Sequence, residues 1–276
     1  MRKYVLSYLT LELDPPATIT AAAEAGYDYV GVRMLPALAG GRAFPLMSDA
    51  AMLRETIDRL RDTDVRILDL EIARIDGQNR IEDWLPMLEV GARLGARTLI
   101  AAGDDPDESR MTETFAKLCR AAAGFSLSVN LEFTPWARLN TLGAATRVVE
   151  TAAEPNGEIL VDTIHVARSD SGIEDIAAID PARMSYFQIC DAEPGTHFPI
   201  EDLLYTAREE RLLPGEGGSD LAAMITALPR DLIVSVEIPS HRRIAETGHL
   251  AWARTALDAS RRFMEHCDGS LPAAGQ

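Results

Sequence analysis

No run of about 18 consecutive apolar residues occurs in the chain, so no membrane-spanning helix is expected. Cysteine is scarce: Cys119, Cys190 and Cys267 stand far apart and form no CxxC or CxxH pattern, which argues against a disulfide framework and a thiolate zinc site. A reducing cytoplasm is the expected compartment. Positive charge is also short, with 27 Lys and Arg against 43 Asp and Glu and a formal net charge of −16. Nucleic-acid affinity comes mainly from Lys and Arg replacing condensed counterions, so no nucleic-acid partner is expected. Long Pro/Gly/Ser linkers and low-complexity segments are missing too, which leaves one domain over residues 1–268 and a tail, 269–276, expected to fray. The opening Met1-Arg2-Lys3 and the apolar Tyr4–Leu9 begin like a signal peptide, but Glu12 and Asp14 interrupt them, and a first strand is the better reading.

What is present is apolar residue, 47% of 276, enough for one large core. Short runs rich in Val, Ile, Leu and Tyr alternate with stretches of helical period, the pattern of repeated βα units around a parallel sheet. Eight runs can be counted: Tyr4–Leu9, Tyr29–Arg33, Val65–Glu71, Thr98–Ala102, Ser126–Phe133, Ile159–Asp162, Tyr186–Asp191 and Leu232–Glu237. Each is nearly continuous in apolar residues, as strands buried on both faces should be. Eight repeats in a chain slightly longer than the roughly 250 residues of a typical barrel predict an α/β fold of one kind, a single (β/α)₈ TIM barrel. Between strands, Ser48 is placed to cap a helix carrying Met52, Leu53, Ile57 and Leu60, while Trp84, Leu85, Leu88 and Leu94 are expected on one face of the next. Gly26 and Gly95 sit where helices should stop, and a final helix is expected from about His249 to His266.

Four successive strands end on oxygen donors at matching heights: Glu132, Asp162, Gln188 and Glu237. In such barrels the carboxyl ends of the strands form the active-site face. Three carboxylates crowded into a partly desolvated pocket repel one another, and a bound dication converts that repulsion into attraction. Oxygen donors without thiolate suit one hard divalent ion, Mg²⁺ or Mn²⁺ first, with Co²⁺ or Zn²⁺ also compatible. Singly, each acid has a plainer reading as the cap of the following helix. His165, three residues past Asp162, is close enough to brace a ligand or reach a substrate oxygen, unless it is merely a core histidine. Cys190 reads as packing, since no basic partner is evident.

Asn130-Leu131-Glu132, Val161-Asp162-Thr163-Ile164-His165, Phe187-Gln188-Ile189-Cys190-Asp191, Arg211-Leu212-Leu213-Pro214-Gly215-Glu216-Gly217 and Val236-Glu237 together resemble the sugar phosphate isomerase/epimerase family. These xylose isomerase-like barrels include ketose epimerases, hydroxypyruvate isomerase, inosose dehydratase and 3-dehydroshikimate dehydratase. The resemblance covers nearly the whole chain. It implies that Glu132 and Glu237 bind the metal and flank the substrate as catalytic acid and base, that Asp162 and Gln188 complete the metal shell, and that Arg211 reaches the substrate. Position 188 is histidine in the ketose epimerases, so the glutamine here resembles the isomerase and dehydratase branches. Arg33 stands where many relatives carry an acid.

A ketone and neighbouring hydroxyl chelated together acidify the C–H between them, so a glutamate base can form an enediolate. Returning the proton gives isomerisation or epimerisation of a keto sugar or related hydroxy-ketone, the first expectation. Expelling a β-hydroxyl gives dehydration, the alternative. Arg33, Glu71, Trp136, His165 and Arg211 are the expected substrate contacts, each with a bland reading as helix cap, rim packing or surface ion pair. Arg33, Arg208 and Arg211 suit a carboxylate or phosphate, and an anionic substrate is expected from Arg33 and Arg211. The expected partner is therefore a small polyhydroxy ketone or keto-acid, and a homo-oligomer remains open. Two other classes were weighed. The multi-histidine zinc cluster of the related apurinic endonuclease does not assemble from five histidines, three of which (His241, His249, His266) follow the last strand. A metal-free scaffold barrel, its acids merely capping helices, is the other.

Overall fold

The computed structural model describes residues 2–38 and 40–270. Eight strands close into a barrel in sequence order: β1 (Tyr4–Leu6), β2 (Tyr29–Arg33), β3 (Arg66–Ile75), β4 (Thr98–Gly103), β5 (Ser128–Glu132), β6 (Gly157–Asp162), β7 (Tyr186–Ile189) and β8 (Ile233–Val236). Every neighbouring pair is parallel, including β8 against β1, and helices fill the connections, which makes this a single (β/α)₈ barrel. Among the described residues no helix is long and apolar enough to cross a membrane.

Alternation along each strand explains both the core and the site. Tyr4, Leu6, Val30, Val32, Leu99, Ala101, Ile159, Val161, Phe187, Val234 and Val236 pack into the large core shared with the helices. Their alternate neighbours Val5, Tyr29, Ile100, Leu160 and Tyr186 belong to a smaller cluster made of strand residues alone, the barrel interior. Continuing that interior phase by two residues from β2, β6 and β7 leads to Gly31 and Arg33, Asp162, and Gln188, because side chains repeat with period 2. Gly31 is needed there: a Cβ would lie 2.6 Å from Asp69 Oδ1, so its absence admits that buried carboxylate from β3.

Several boundaries differ from the sequence expectations. β1 stops at Leu6, and Tyr8–Leu11 form a short buried helix closed by Glu12 at φ 51°. β3 runs on to Ile75, shifting register against β4 between Leu70 and Ala73. Asp49, not Ser48, caps the helix Ala50–Asp62, its carboxylate accepting the amides of Ala51 and Met52, while the Ser48 amide closes a turn onto Pro45. Leu53 is buried in that helix but Ile57 is exposed, and Leu85 is exposed beside buried Trp84 and Leu88. The last helix spans His249–Ser270, so Gly269 and Ser270 continue it, and 271–276 lie outside the described residues.

Candidate active site and metal centre

Strand register sets the donors at one level: Asp162 pairs with Gln188, Gln188 with Ser235, and Ala102 with Glu132. All of Glu132, Asp162, Gln188 and Glu237 are buried. Glu237 is the most firmly held. Its Oε1 accepts hydrogen bonds from Ser7 Oγ (2.6 Å) and Gln188 Nε2 (2.8 Å), and its Oε2 lies 2.8 Å from an Arg211 nitrogen. Asp162 caps the helix Thr163–Ala167 through the Ile164 amide (3.1 Å) and also accepts from Arg211 (2.9 Å), so the capping reading and the site reading hold together. Glu132 takes no hydrogen bond from the described residues; His165 Nε2 lies 3.7 Å from its Oε1 and 3.5 Å from Asp162 Oδ2.

Burial dominates the electrostatics. The Glu132 carboxyl is pushed well above the usual range by desolvation, then by Glu237 and Asp162. Glu237 is raised by burial as well, with the Arg211 guanidinium opposing, and Glu71 likewise against Arg33. His165 is driven well down by burial and then by Arg211 and Arg208, so its ring is neutral at neutral pH. The Cys190 thiol is pushed up to about 12 by burial, as packing rather than nucleophilic duty requires.

A divalent ion suits this donor set. Gln188 Oε1 is buried without a hydrogen-bond partner, Glu132 is an unpaired buried carboxylate, and each state is costly unless something positive satisfies it. Among the described residues, Glu132, Asp162 and His165 form the group whose ligand atoms all lie within 4.8 Å of one another. His165, expected beside the ligands, thus brings a nitrogen among them, while Glu237 stays outside that group and is engaged by Arg211. An imidazole in the set widens the range toward Mn²⁺, Co²⁺ and Zn²⁺.

Above these residues lies a cavity of about 230 Å³ whose wall includes Arg33, Glu71, Trp136, His165 and Arg211, the expected substrate contacts, together with Glu132, Gln188 and Glu237. Arg33 is ion-paired to Glu71, and its guanidinium lies 4.6 Å from the centre of the Tyr8 ring. The Trp136 ring meets His165 edge-on at 5.2 Å. Five buried polar atoms on this wall lack a hydrogen-bond partner: Tyr8 Oη, Arg33 Nε, Glu71 Oε1, His165 Nδ1 and Gln188 Oε1. Donors and acceptors so interspersed match a ligand rich in hydroxyl groups.

Arg211 spends its fork on the chain itself: besides the two carboxylates, it donates to the Ala207 and Glu237 carbonyls. Its position depends on the turn that follows. Asp191 accepts from the amides of Ala192, Gly215 and Gly217 and from Ser219 Oγ, and a Cβ on Gly217 would come within 2.4 Å of that carboxylate. Ser7, Tyr8 and this role of Asp191 are not among the site residues expected from the sequence. Ser7 was signalled only by being polar, two residues beyond Val5, inside the first apolar run.

A model of the xylose isomerase-like TIM barrel family matches residues 19–266. Inosose isomerase of Bacillus velezensis is 24% identical over 265 residues, covering 87% of this chain and 90% of that one. A 3-dehydroshikimate dehydratase of Pseudomonas aeruginosa is 27% identical over 127 residues, covering 46% of this chain and 19% of that protein. Among solved structures, the IolI protein with a bound zinc atom superposes with a TM-score of 0.76 at 21% identity, covering 96% of this chain and 98% of that one.

Proposed function

The chain belongs to the xylose isomerase-like TIM barrel family, and from that premise we propose that it is a divalent-metal-dependent enzyme that isomerises or epimerises a polyhydroxy ketone through an enediolate. The observation that carries the reading is Glu132: a buried, unpaired carboxylate beside Asp162 and His165, at the carboxyl end of a barrel strand. Glu132, Asp162, Gln188 through Oε1 and His165 would hold the ion, with Glu237 adjacent. When bound, the ion supplies Lewis-acid polarisation of the ketone and compensates the acids.

The remaining steps belong to side chains. Glu132 is the group able to take and return a proton, because its environment favours the protonated form more than that of an ordinary carboxyl. Glu237 is fixed by Ser7, Gln188 and Arg211, and serves as the second carboxylate, handling the proton at the neighbouring carbon. Neutral His165 offers a nitrogen to the substrate oxygen as charge develops there. The unpartnered atoms of Tyr8, Arg33 and Glu71 orient the hydroxyl groups.

The likeness to inosose isomerase and to the zinc-bound IolI structure supports this reading. The likeness to a 3-dehydroshikimate dehydratase keeps dehydration as the second reading, sharing the enolisation step. Incubating the metal-loaded protein in D₂O with ketoses, an inosose and 3-dehydroshikimate tests both: metal-dependent C–H exchange without loss of water supports the first, and a new conjugated enone supports the second. Absence of exchange with every substrate, together with no bound divalent ion in the purified protein, would leave a scaffold barrel instead.

A further inference from the structure

Five of the 27 Lys and Arg residues line this one cavity: Arg33, Arg42, Arg74, Arg208 and Arg211. In a chain at −16 the long-range field repels anions, so an anionic ligand needs an uncommitted cation close at hand. Four of the five have acid partners: Arg33 with Glu71, Arg42 with Glu12, Arg74 with Asp104, and Arg211 with Asp162 and Glu237. Arg208 has none among the described residues. It ends the helix Ile200–Arg208, half-buried, with its guanidinium 5.7 Å from the centre of the Trp136 ring, another wall residue. Burial and the nearby charges of Arg33 and Arg74 make the protonated form less comfortable there, so a positive charge is being held where other positive charges converge. A second unmet donor, the buried Nε, belongs to another residue of the same wall, Arg33.

We infer that the substrate carries an anionic group, a carboxylate or a phosphate, and that Arg208 receives it at the cavity mouth, with Trp136 as the adjacent wall. This deepens the proposed function and rests on it for the hydroxy-ketone half of the substrate. Arg208 is a specificity residue, because it binds the part of the substrate that does not react. The sequence offers Arg33, Arg208 and Arg211 for an anion and favours Arg33 and Arg211, but the forks of those two are occupied by Glu71 and by Asp162 and Glu237.

Calorimetric titration of the Mn²⁺-loaded protein with three matched hydroxy-ketones tests the inference: hydroxypyruvate carries a carboxylate, dihydroxyacetone phosphate a phosphate, and dihydroxyacetone no charge. One of the two anions should bind at least roughly tenfold more tightly than dihydroxyacetone, a charge-assisted fork being worth about that much. Arg208→Met should abolish the preference and leave the dihydroxyacetone affinity unchanged, while Arg208→Lys should retain part of it. The thermal midpoint of both variants should match the parent, since Arg208 makes no ion pair among the described residues. Which anion wins identifies the group. Equal binding of all three ligands, no binding of either anion, or an equal loss for charged and neutral ligands in Arg208→Met would overturn the inference. Metal-dependent exchange of C–H in dihydroxyacetone under D₂O, observed alongside any of those results, would leave the proposed function standing without it.

Discussion

Glu132 and Glu237 are both buried glutamates, yet their surroundings predict different consequences for the same substitution. Glu132→Gln removes a charge that burial already disfavours and that no neighbour hydrogen-bonds, so the metal-free protein should be at least as stable as the parent. Turnover should nevertheless fall by about 10²–10⁴, the usual worth of a positioned acid or base. Glu237→Gln should lose comparable turnover and also stability, by about 1.5–3 kcal/mol, because it weakens a charged bond to buried Arg211. Urea melts without metal and C–H exchange rates separate the two; identical stabilities would contradict the difference in partners. Arg211→Met should be more damaging, at about 3–5 kcal/mol, since it strands Asp162 and Glu237 as uncompensated buried charges. A variant that melts like the parent would show that these carboxylates find another counter-charge.

At the scale of elements, the turn after Arg211 matters more than its exposure suggests. The Asp191 carboxylate ties Gly215 and Gly217 of the Leu213-Pro214-Gly215-Glu216-Gly217 segment, and Asp191 itself bridges to Leu212 by paired backbone bonds of 2.9 and 3.0 Å. Asp191→Ala should therefore cost about 3 kcal/mol and speed amide exchange in Gly215 and Gly217 ahead of the barrel strands. Uniform acceleration throughout the barrel would instead indicate global unfolding. The same scale shows where local pattern misleads. Tyr8–Leu11 has the composition of a strand but folds as a buried helical turn, and a short apolar run does not distinguish the two. Ile57 and Leu85 are apolar yet exposed: Leu85 lies about 100° round the helix from buried Trp84, whereas Ile57 is only about 40° from buried Leu53, so apolar spacing alone does not decide which residues a helix covers.

For the molecule as a whole, the raised carboxyls and the depressed imidazole give opposite pH dependences. Asp69, Glu71, Glu132 and Glu237 have folded-state pKa values above their ordinary ones, so the stability they contribute is complete below about 4 to 4.5 and is lost as pH rises through the raised values. His165 is depressed below 6.5, so its contribution is present above 6.5 and lost as pH falls toward its folded value. Through its carboxyls the metal-free protein should therefore lose stability as pH rises above about 4 to 4.5, and Glu132→Gln should flatten that decline. Mn²⁺ should flatten it too, while stabilising the fold by about 2.7 kcal/mol at a hundredfold excess over Kd. Denaturant titrations across the pH range, with and without chelator, check the sign; an unchanged slope on adding Mn²⁺ would speak against these acids as its ligands.

The barrel was legible in the sequence because its causes are local: strands buried on both faces are written as continuous apolar runs, and helices as amphipathic periods. The oxygen donors ending β5 and β6, Gln188 within β7, and Glu237 just past β8 were legible for the same reason, as polar residues interrupting or ending runs that should remain apolar. What each charge pairs with was decided only by closure of the barrel. Ser7 reaches Glu237 across 230 positions, and Arg211 reaches Asp162 across 49. Closure also turned His165 onto Glu132 and Asp162, occupied the forks of Arg33 and Arg211, and left Arg208 without an acid among the described residues. Such pairings follow from the directions of side chains on strands and loops brought together late in the fold, and no short-range periodicity in the chain encodes them.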